Sequence, residues 1–308
     1  MIDLRLRTRV SDDAIKQSLQ GKVLGPADYD LLMTGSGPVR MRMPDNRPLC
    51  VYLPGVLAGL FTDDVYRILH SLRQHTTNNR GDASGTRRLR RGGNAGIVST
   101  RGETKPTPSI MLGSMDPIGQ TRYCRLSSWT GRNLPDWETL QPPLRVIGEH
   151  LRDNVPDRWA AQMSRVMNTH DDWIIPGTPF STVTVNNTYP TGVHTDKGDL
   201  DEGYSTIACL RRGPYTGGQL VFPAYRVAVD LRDGDLILMD AHQWHGNVPI
   251  TCPCGGELRG PCKTCGAERI SLVSYYRTKI ADCGTPAEEQ DKASALADRR
   301  HAESGRIL

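Results

Sequence analysis

Short runs of alternating and β-branched residues, separated by turn residues, fill the chain from Phe180 onward. The strands that they predict span residues 180–186, 204–210, 219–222, 226–229, 235–239 and 270–276. Glycine, proline and aspartate stand between them, as at Gly217-Gly218 and Asp233-Gly234. Short strands at this spacing are typical of a sandwich or barrel. With 37% hydrophobic residues in 308, the chain can bury one large core or two modest ones.

Helical patterns occur outside these strands, so the sequence predicts an α+β fold with flanking helices. Residues 62–75 form one predicted helix with Thr62 as its N-cap. A second helical region covers 142–168, beginning at Pro142-Pro143 and divided by Pro156. The charged, alanine-rich tail from Pro286 is predicted to be a surface helix or disordered.

A possible metal site follows the first predicted strand. His194 and Asp196 stand two residues apart, so on an extended backbone both side chains can point the same way. His245 follows 51 residues later, at the end of another predicted strand. Two imidazoles and one carboxylate can occupy one face of an iron octahedron and leave three positions open. His242 is the alternative third ligand.

The next predicted strand begins with a cation that could bind a dicarboxylate co-substrate. Arg269 can clamp a carboxylate with parallel hydrogen bonds, and Ser271, facing the same side, can add another. Arg277 is the alternative for the same role. An ordinary arginine at a strand end would look the same in sequence.

Four of the eight cysteines fall within a short insert at 251–267. Cys252, Cys254, Cys262 and Cys265 follow the pattern C-x-C-x7-C-x2-C, and a glycine after Cys265 suits a zinc knuckle. The sequence therefore predicts a structural zinc site, with reduced free thiols as the alternative. The other cysteines are interpreted as buried or free thiols: Cys50, Cys124, Cys209 and Cys283.

The segment at 78–96 is the most basic of the chain and is predicted to be an exposed loop. Arg87, Arg88, Arg90 and Arg91 could contact phosphates or could be merely solvated. The net charge of +4 and the pI of about 8.6 permit a nucleic-acid partner without requiring one.

In several of these stretches the chain resembles the TET/JBP family of nucleic-acid oxygenases, particularly its bacteriophage members. The most specific matching stretches are PFSTVTVNNTYPTGVHTDKGDL, GGQLVFPAYRVAVDLRDGDLILMDAHQWHGN and RISLVSYYR. Further similar stretches are CRLSSWTGRNLPDWETLQPPL and NNRGDASGTRRLRRGGNAG. The likeness covers roughly residues 78–283. One departure is the 24-residue separation of His245 and Arg269, most of which is the cysteine insert.

The resemblance implies a double-stranded β-helix (jelly-roll) fold that uses Fe(II), 2-oxoglutarate and O₂. It implies that His194, Asp196 and His245 bind iron, that Arg269 binds 2-oxoglutarate, and that Asn186 lies near the substrate base. We accordingly expect a helical or mixed extension at 1–77, the oxygenase domain at 78–283 and a charged tail at 284–308.

The function that the resemblance implies is oxidation of the methyl group of a 5-methylpyrimidine in DNA, with 5-methylcytosine the first choice and thymine the alternative. Such a base must leave the duplex, and Trp244, Tyr189 and Tyr215 are candidates to stack on it. An oxygenase of the same fold acting on a protein or small molecule is one rival, and a non-catalytic nucleic-acid-binding module is another.

The location of the protein is predicted from its N-terminus and its hydropathy. The first residues, MIDLRLRTRV, are charged, and the chain holds no run of about 18 apolar residues. We therefore expect no membrane segment and a cytoplasmic protein, which would mean the host cytoplasm for a phage gene.

Overall fold

The computed structural model describes residues 1–77, 80–91, 94–99 and 107–304, without the side chains of 86–99 and 304. In this described part the strands β1 to β18 are Ile2–Arg5, Leu31–Met33, Val39–Arg42, Pro48–Leu53, Thr76–Thr77, Thr86–Arg91, Asn94–Ser99, Thr107–Met115, Arg125–Leu126, Thr182–Asn187, Ser205–Arg212, Thr216–Gly217, Leu220–Phe222, Val227–Val229, Leu236–Met239, Gly246–Asn247, Ile250–Thr251 and Glu268–Tyr275. The helices α1 to α6 are Asp12–Ser18, Asp63–Ser71, Ser128–Arg132, Leu134–Asn154, Pro156–Val166 and Pro286–Ser304.

The six strands predicted from sequence are all present, as β10, β11, β13, β14, β15 and β18, and their ends differ from the prediction by at most two residues. The short apolar and β-branched runs were sufficient because most residues of these strands are buried. They belong to two sheets. The main sheet has the order β1-β3-β4-β15-β11-β18-β10-β8-β5, and a four-stranded sheet has the order β16-β13-β14-β2.

The chain divides into two compact units. The first comprises Met1–Ile110, Thr184–Lys197 and Ser205–Val273. Its core lies between the two sheets, where side chains of β3, β4, β11 and β15 pack against those of β13 and β14. Tyr52 and Phe222 are among its fully buried members. Two facing sheets that share one core form the predicted double-stranded β-helix.

The main sheet includes strands from the beginning of the chain. β4 pairs antiparallel with β15, β3 pairs with β4, and β1 runs parallel to β3. The segment 1–77, predicted as an extension, therefore supplies strands to this sheet, while its boundary with the oxygenase domain stays a prediction.

The second unit comprises Met111–Val183, Gly198–Tyr204 and Ser274–Leu308. It contains α3 to α6 and a small core that includes Trp173 and Tyr276. Cys124 and Cys283 form a disulfide within this unit, with their Cα atoms 5.9 Å apart. The interpretation of these two cysteines as free thiols was wrong, because residues 159 positions apart meet only through the fold.

The helices predicted at Thr62 and at Pro142-Pro143 had different outcomes. Thr62 caps α2 as predicted, since its side chain accepts a hydrogen bond from the Val65 N–H. The prediction that Pro142 and Pro143 begin a helix was wrong, because α4 begins at Leu134 and contains both prolines. The carbonyls that lose a partner there are those of Glu138 and Thr139, two exposed residues of the first half of α4.

Other expectations for the helices were correct. Pro156 separates α4 from α5, and the tail from Pro286 forms helix α6. Among the described residues, no helix combines the length and the apolar character that crossing a membrane requires.

The described residues of the basic segment form two paired strands rather than the predicted loop. β6 and β7 pair antiparallel, from Thr86 opposite Ser99 to Arg91 opposite Asn94. The composition suggested a loop because arginine and glycine are abundant, but two glycines between short runs are also a hairpin signal. The side chains of Arg87, Arg88, Arg90 and Arg91 lie outside the described part of the structure.

Candidate metal and co-substrate site

The three predicted iron ligands lie where two segments of backbone pair. His194 and His245 form an isolated β-bridge in which the N–H of each donates to the carbonyl of the other, at 2.9 and 3.0 Å. The Asp196 N–H donates to the carbonyl of Ala241 at 3.0 Å. Backbone pairing thus brings together residues that are far apart in sequence.

The side chains of the three residues converge. His194 Nε2 lies 3.5 Å from Asp196 Oδ1, and His245 Nε2 lies 3.7 Å from Asp196 Oδ2. One ligand atom from each residue falls within a cluster no more than 4.8 Å across. Two imidazoles and a carboxylate in this arrangement can hold a divalent transition metal on one face and leave its other positions open.

Backbone carbonyls orient both imidazoles. Nδ1 of His194 donates to the Gly192 carbonyl at 2.7 Å, and Nδ1 of His245 donates to the Gln243 carbonyl at 2.8 Å. Since a carbonyl only accepts, Nδ1 holds the proton and Nε2 keeps its lone pair for a metal. Burial, followed by the nearby His194, lowers the pKa of His245 to about 4, so this imidazole is neutral at pH 7.

His242, the alternative third ligand, has a different neighbour. Its Nδ1 lies 3.3 Å from Asp240 Oδ1, and its backbone N–H donates to the same oxygen at 3.1 Å. Within the described chain it is not part of the cluster formed by His194, Asp196 and His245. The geometry therefore favours His245.

Arg269 is a buried cation with unused hydrogen-bonding capacity. Its side chain is 5% exposed overall, Nη1 donates to Ser271 Oγ at 2.5 Å, and Nε has no hydrogen-bond partner among the described residues. A buried donor of this kind requires an acceptor, and a carboxylate is the best match for a guanidinium. Gly218 leaves room for the Arg269 side chain, because a Cβ at this position would lie 3.2 Å from Arg269 Cδ. Its φ of +78° also favours glycine.

Arg277, the alternative for this role, already has an acidic partner. Its Nε donates to Asp116 Oδ1 at 2.7 Å, and both side chains are largely buried. The Arg277 guanidinium is thus neutralised by the protein, whereas Arg269 is the better candidate for an anionic ligand.

The four predicted zinc ligands also converge. The Sγ atoms of Cys252, Cys254, Cys262 and Cys265 fall within 4.8 Å of one another. Backbone hydrogen bonds from Cys265 and Thr264 lower the pKa of the Cys262 thiol to about 6, which favours a thiolate. Four thiol groups in this arrangement suit a structural zinc ion.

The cysteine insert packs on a small apolar cluster of its own. Tyr215, Ile250, Cys252 and Ala267 are its buried members. The Cys262 N–H donates to the Ala267 carbonyl at 2.9 Å. Since Ala267 directly precedes β18, the insert is joined to the strand that carries Arg269.

The remaining residues predicted to contact the substrate base have different surroundings. Asn186 lies in β10, and its Oδ1 accepts from the Ser109 hydroxyl at 2.6 Å. Tyr189 and Tyr215 are buried, and Trp244 is partly buried against an apolar cluster. The two tyrosines are thus core residues rather than exposed stacking surfaces.

Sequence reasoning missed a buried carboxylate next to Arg269. Glu268 is 2% exposed and accepts from Tyr66 OH at 2.6 Å, from Asn187 Nδ2 at 2.5 Å and from His70 Nδ1 at 2.8 Å. The network fastens α2 to the ends of β10 and β18. No local pattern announces it, because its members lie up to 202 residues apart.

Three comparisons with known proteins bear on these sites. A family model described as the oxygenase domain of the 2OGFeDO superfamily, Tet_JBP, matches residues 116–278. Thymine dioxygenase JBP1 of Crithidia fasciculata is 33% identical over 213 residues, which is 65% of this chain and 25% of that protein. Thymine dioxygenase JBP1 of Leishmania braziliensis is 34% identical over 164 residues, 53% of this chain and 19% of that protein. The match therefore spans a quarter or less of these relatives.

The fold comparison agrees. The solved structure described as NgTET1 in complex with 5mC DNA has a TM-score of 0.54 at 11% identity, covering 92% of this chain and 100% of that one. This likeness supports the double-stranded β-helix. The family match covers just over half of the chain and includes His194, Asp196, His245 and Arg269. The chain therefore belongs to the TET/JBP family of 2-oxoglutarate- and iron(II)-dependent dioxygenase domains.

Proposed function

We propose that this protein hydroxylates the methyl group of a 5-methylpyrimidine base in DNA, with 5-methylcytosine as its first substrate. The observation that carries the proposal is the convergence of His194, Asp196 and His245, whose ligand atoms lie within 4.8 Å. Such a triad leaves metal positions open for a co-substrate and O₂. The family's use of iron and 2-oxoglutarate gives this site its chemistry.

In this proposal the three side chains hold Fe(II), and each has a defined part. The Nε2 atoms of both histidines face Asp196, and the carbonyls of Gly192 and Gln243 keep their rings in the required tautomer. When bound, iron and 2-oxoglutarate would activate O₂ for removal of a hydrogen atom from the substrate methyl group.

Arg269 and Ser271 would bind the carboxylate of 2-oxoglutarate that lies far from the metal. The buried guanidinium offers Nε as an unpaired donor, and Ser271 Oγ lies 2.5 Å from its Nη1. An anion would satisfy both the charge and the orphaned donor. The Asp116 partner of Arg277 supports Arg269 over Arg277 for this role.

DNA is proposed as the partner for two reasons. The relatives are thymine dioxygenases by name, and the solved structure of similar fold is described as bound to 5mC DNA. Asn186 would contact the extruded base, and Arg87, Arg88, Arg90 and Arg91 of the basic hairpin would contact phosphates.

Thymine is the second candidate substrate, and the names of the relatives favour it. Both bases carry the same methyl group at the same ring position, so one site can present either to the iron. They differ in the hydrogen-bonding groups at the pyrimidine edge, which is where selection must occur.

Mass spectrometry of nucleosides tests the proposal. DNA with and without 5-methylcytosine is incubated with the protein, Fe(II), 2-oxoglutarate and ascorbate, and then digested. We expect 5-hydroxymethylcytosine from the methylated DNA. Hydroxymethyluracil from both DNAs would select thymine instead, and no oxidised pyrimidine from either would refute the proposed activity.

A further inference from the structure

A short turn ahead of the basic hairpin is fastened to the segment that leads into the metal site. The turn Gly81–Ser84 presents the Ala83 carbonyl, which accepts from the Gly192 N–H at 2.8 Å and from the Tyr189 hydroxyl. Gly192 lies two residues before His194. The residue that enters this turn, Arg80, is therefore held by a fixed piece of backbone.

Arg80 is the start of a directed chain of hydrogen bonds. Its Nε and Nη2 donate to Ser109 Oγ at 2.9 and 2.7 Å, and Ser109 Oγ donates to Asn186 Oδ1 at 2.6 Å. A guanidinium can only donate, so it occupies the lone pairs of the serine oxygen and leaves the single hydroxyl proton for Asn186.

This directionality fixes the amide of Asn186. Oδ1 must face the serine proton, so Nδ2 must point elsewhere. Among the described residues, no group is seen to accept a hydrogen bond from Nδ2. The amide therefore presents N–H donors and no acceptor to whatever lies in front of it.

The position of Asn186 in the sheet directs it to the side of the co-substrate arginine. Asn187 contacts Glu268, so these two side chains share one face of the sheet. Successive side chains of a strand alternate between faces. Asn186 and Arg269 consequently share the other face, which also carries Ser271.

We infer that Arg80 is a positioning residue that acts through Ser109 to hold the Asn186 amide as a hydrogen-bond donor to an acceptor on the pyrimidine edge of the substrate base. The inference rests on the proposed function and adds two residues to it. It also predicts which group of the base is read: a ring carbonyl or an unprotonated ring nitrogen, not an amino group.

A double-mutant cycle on Arg80 and Ser109 tests the connection. In the cycle, kcat/KM for methylated DNA and the KM for 2-oxoglutarate are measured for Arg80→Ala, Ser109→Ala and the double variant. Each single change should lower kcat/KM about 10-fold or more, because the amide is no longer held. The double change should cost no more than the larger single change, since both break one chain. The KM for 2-oxoglutarate should stay near wild type.

The control is Arg67→Ala, which removes the same charge from an exposed arginine of α2 paired with Asp64. It should leave kcat/KM for DNA unchanged. Additive losses of kcat/KM from Arg80→Ala and Ser109→Ala would overturn the inference, because they would show that the two residues do not act through one chain of hydrogen bonds. A large loss of kcat/KM in Arg80→Ala with a normal kcat/KM in Ser109→Ala would also overturn the inference, because it would mean that Arg80 contacts DNA directly.

Asn186→Asp tests the donor itself. A carboxylate can still accept from Ser109 but has no N–H to offer, so this variant should lose as much DNA turnover as Asn186→Ala. Wild-type turnover in Asn186→Asp would overturn the inference. If the wild-type protein makes no oxidised base at all, the proposed function fails and this inference falls with it. If the wild type forms oxidised base and the variants have the same turnover, this inference is wrong and the proposed function stands.

Discussion

The two candidate metal sites of this protein are built in different ways. The candidate iron site joins residues 51 positions apart, through a β-bridge between His194 and His245 and through carbonyls that orient both rings. The cysteine site takes all four ligands from residues 252–265, and Cys254 is exposed. One site depends on the sheet, and the other on a loop with little core of its own.

The difference predicts that loss of the metal affects the stability of the two sites in opposite ways. The candidate iron ligands are held by backbone hydrogen bonds that do not involve their metal-binding atoms, so we expect this site to be preorganised and a ligand to be removable without unfolding the chain. The loop has only a small apolar cluster to support it, so its shape depends on the metal.

Loss of an iron ligand should have the largest effect on activity and little effect on stability. His194→Ala, Asp196→Ala and His245→Ala should each abolish product formation, because each removes one of three ligands on one face of the metal. Melting temperatures should remain close to wild type. His242→Ala, the control, should retain turnover; activity in His245→Ala together with its loss in His242→Ala would show that the assignment is wrong.

Arg269→Ala should raise the KM for 2-oxoglutarate by roughly 30- to 1000-fold. The basis is loss of a charge-assisted contact worth about 2–4 kcal/mol. Steady-state kinetics with varied 2-oxoglutarate would measure it. Arg277→Ala should leave that KM near wild type in folded protein, since Arg277 pairs with Asp116. The reverse pattern would move the co-substrate site to Arg277.

Zinc removal should mainly lower the stability of the protein and should weaken 2-oxoglutarate binding to a smaller extent. Elemental analysis of purified wild-type protein should find one zinc ion per protein chain. Cys254→Ser should lose this zinc, lower the melting temperature by several degrees and raise the KM for 2-oxoglutarate less than Arg269→Ala does. The reason is that the insert is joined to Arg269 through Ala267 and the start of β18, whereas Arg269 would bind the co-substrate itself.

Thr264→Ala lies in the same loop and removes no ligand, so it should keep both zinc and stability. If neither the wild type nor Cys254→Ser contains zinc, the four cysteines do not form a zinc site.

The basic hairpin should give the smallest effect, and only on DNA. Replacing Arg87, Arg88, Arg90 and Arg91 with alanine should weaken binding to all DNA sequences alike. Each lost phosphate contact should lower the log–log salt slope by roughly 0.9 on duplex or 0.7 on single strands. Fluorescence anisotropy at several salt concentrations would measure this. An unchanged slope would mean that the four arginines do not contact phosphates. Arg259 and Lys263 of the cysteine insert would then be the next residues to test.

How much the sequence predicts follows the same division between local and long-range structure. The four cysteines of the insert share one short motif, and the strands around the triad appear in the sequence as short apolar and β-branched runs. The Cys124–Cys283 disulfide, the Glu268 network and the Arg80–Ser109–Asn186 chain each need distant residues to meet, and no local pattern encodes those meetings. Composition was also misleading once, where arginine and glycine suggested a loop and the backbone forms a hairpin.

The proposed function requires this site to couple the oxidation of 2-oxoglutarate to the oxidation of a methyl group in DNA. The most direct measurement quantifies succinate and hydroxymethylated base in the same reaction, with methylated DNA and with DNA lacking any 5-methylpyrimidine. We expect equimolar succinate and oxidised base on the methylated DNA, and little of either without a methyl group. Abundant succinate on both DNAs, with no oxidised base, would contradict it.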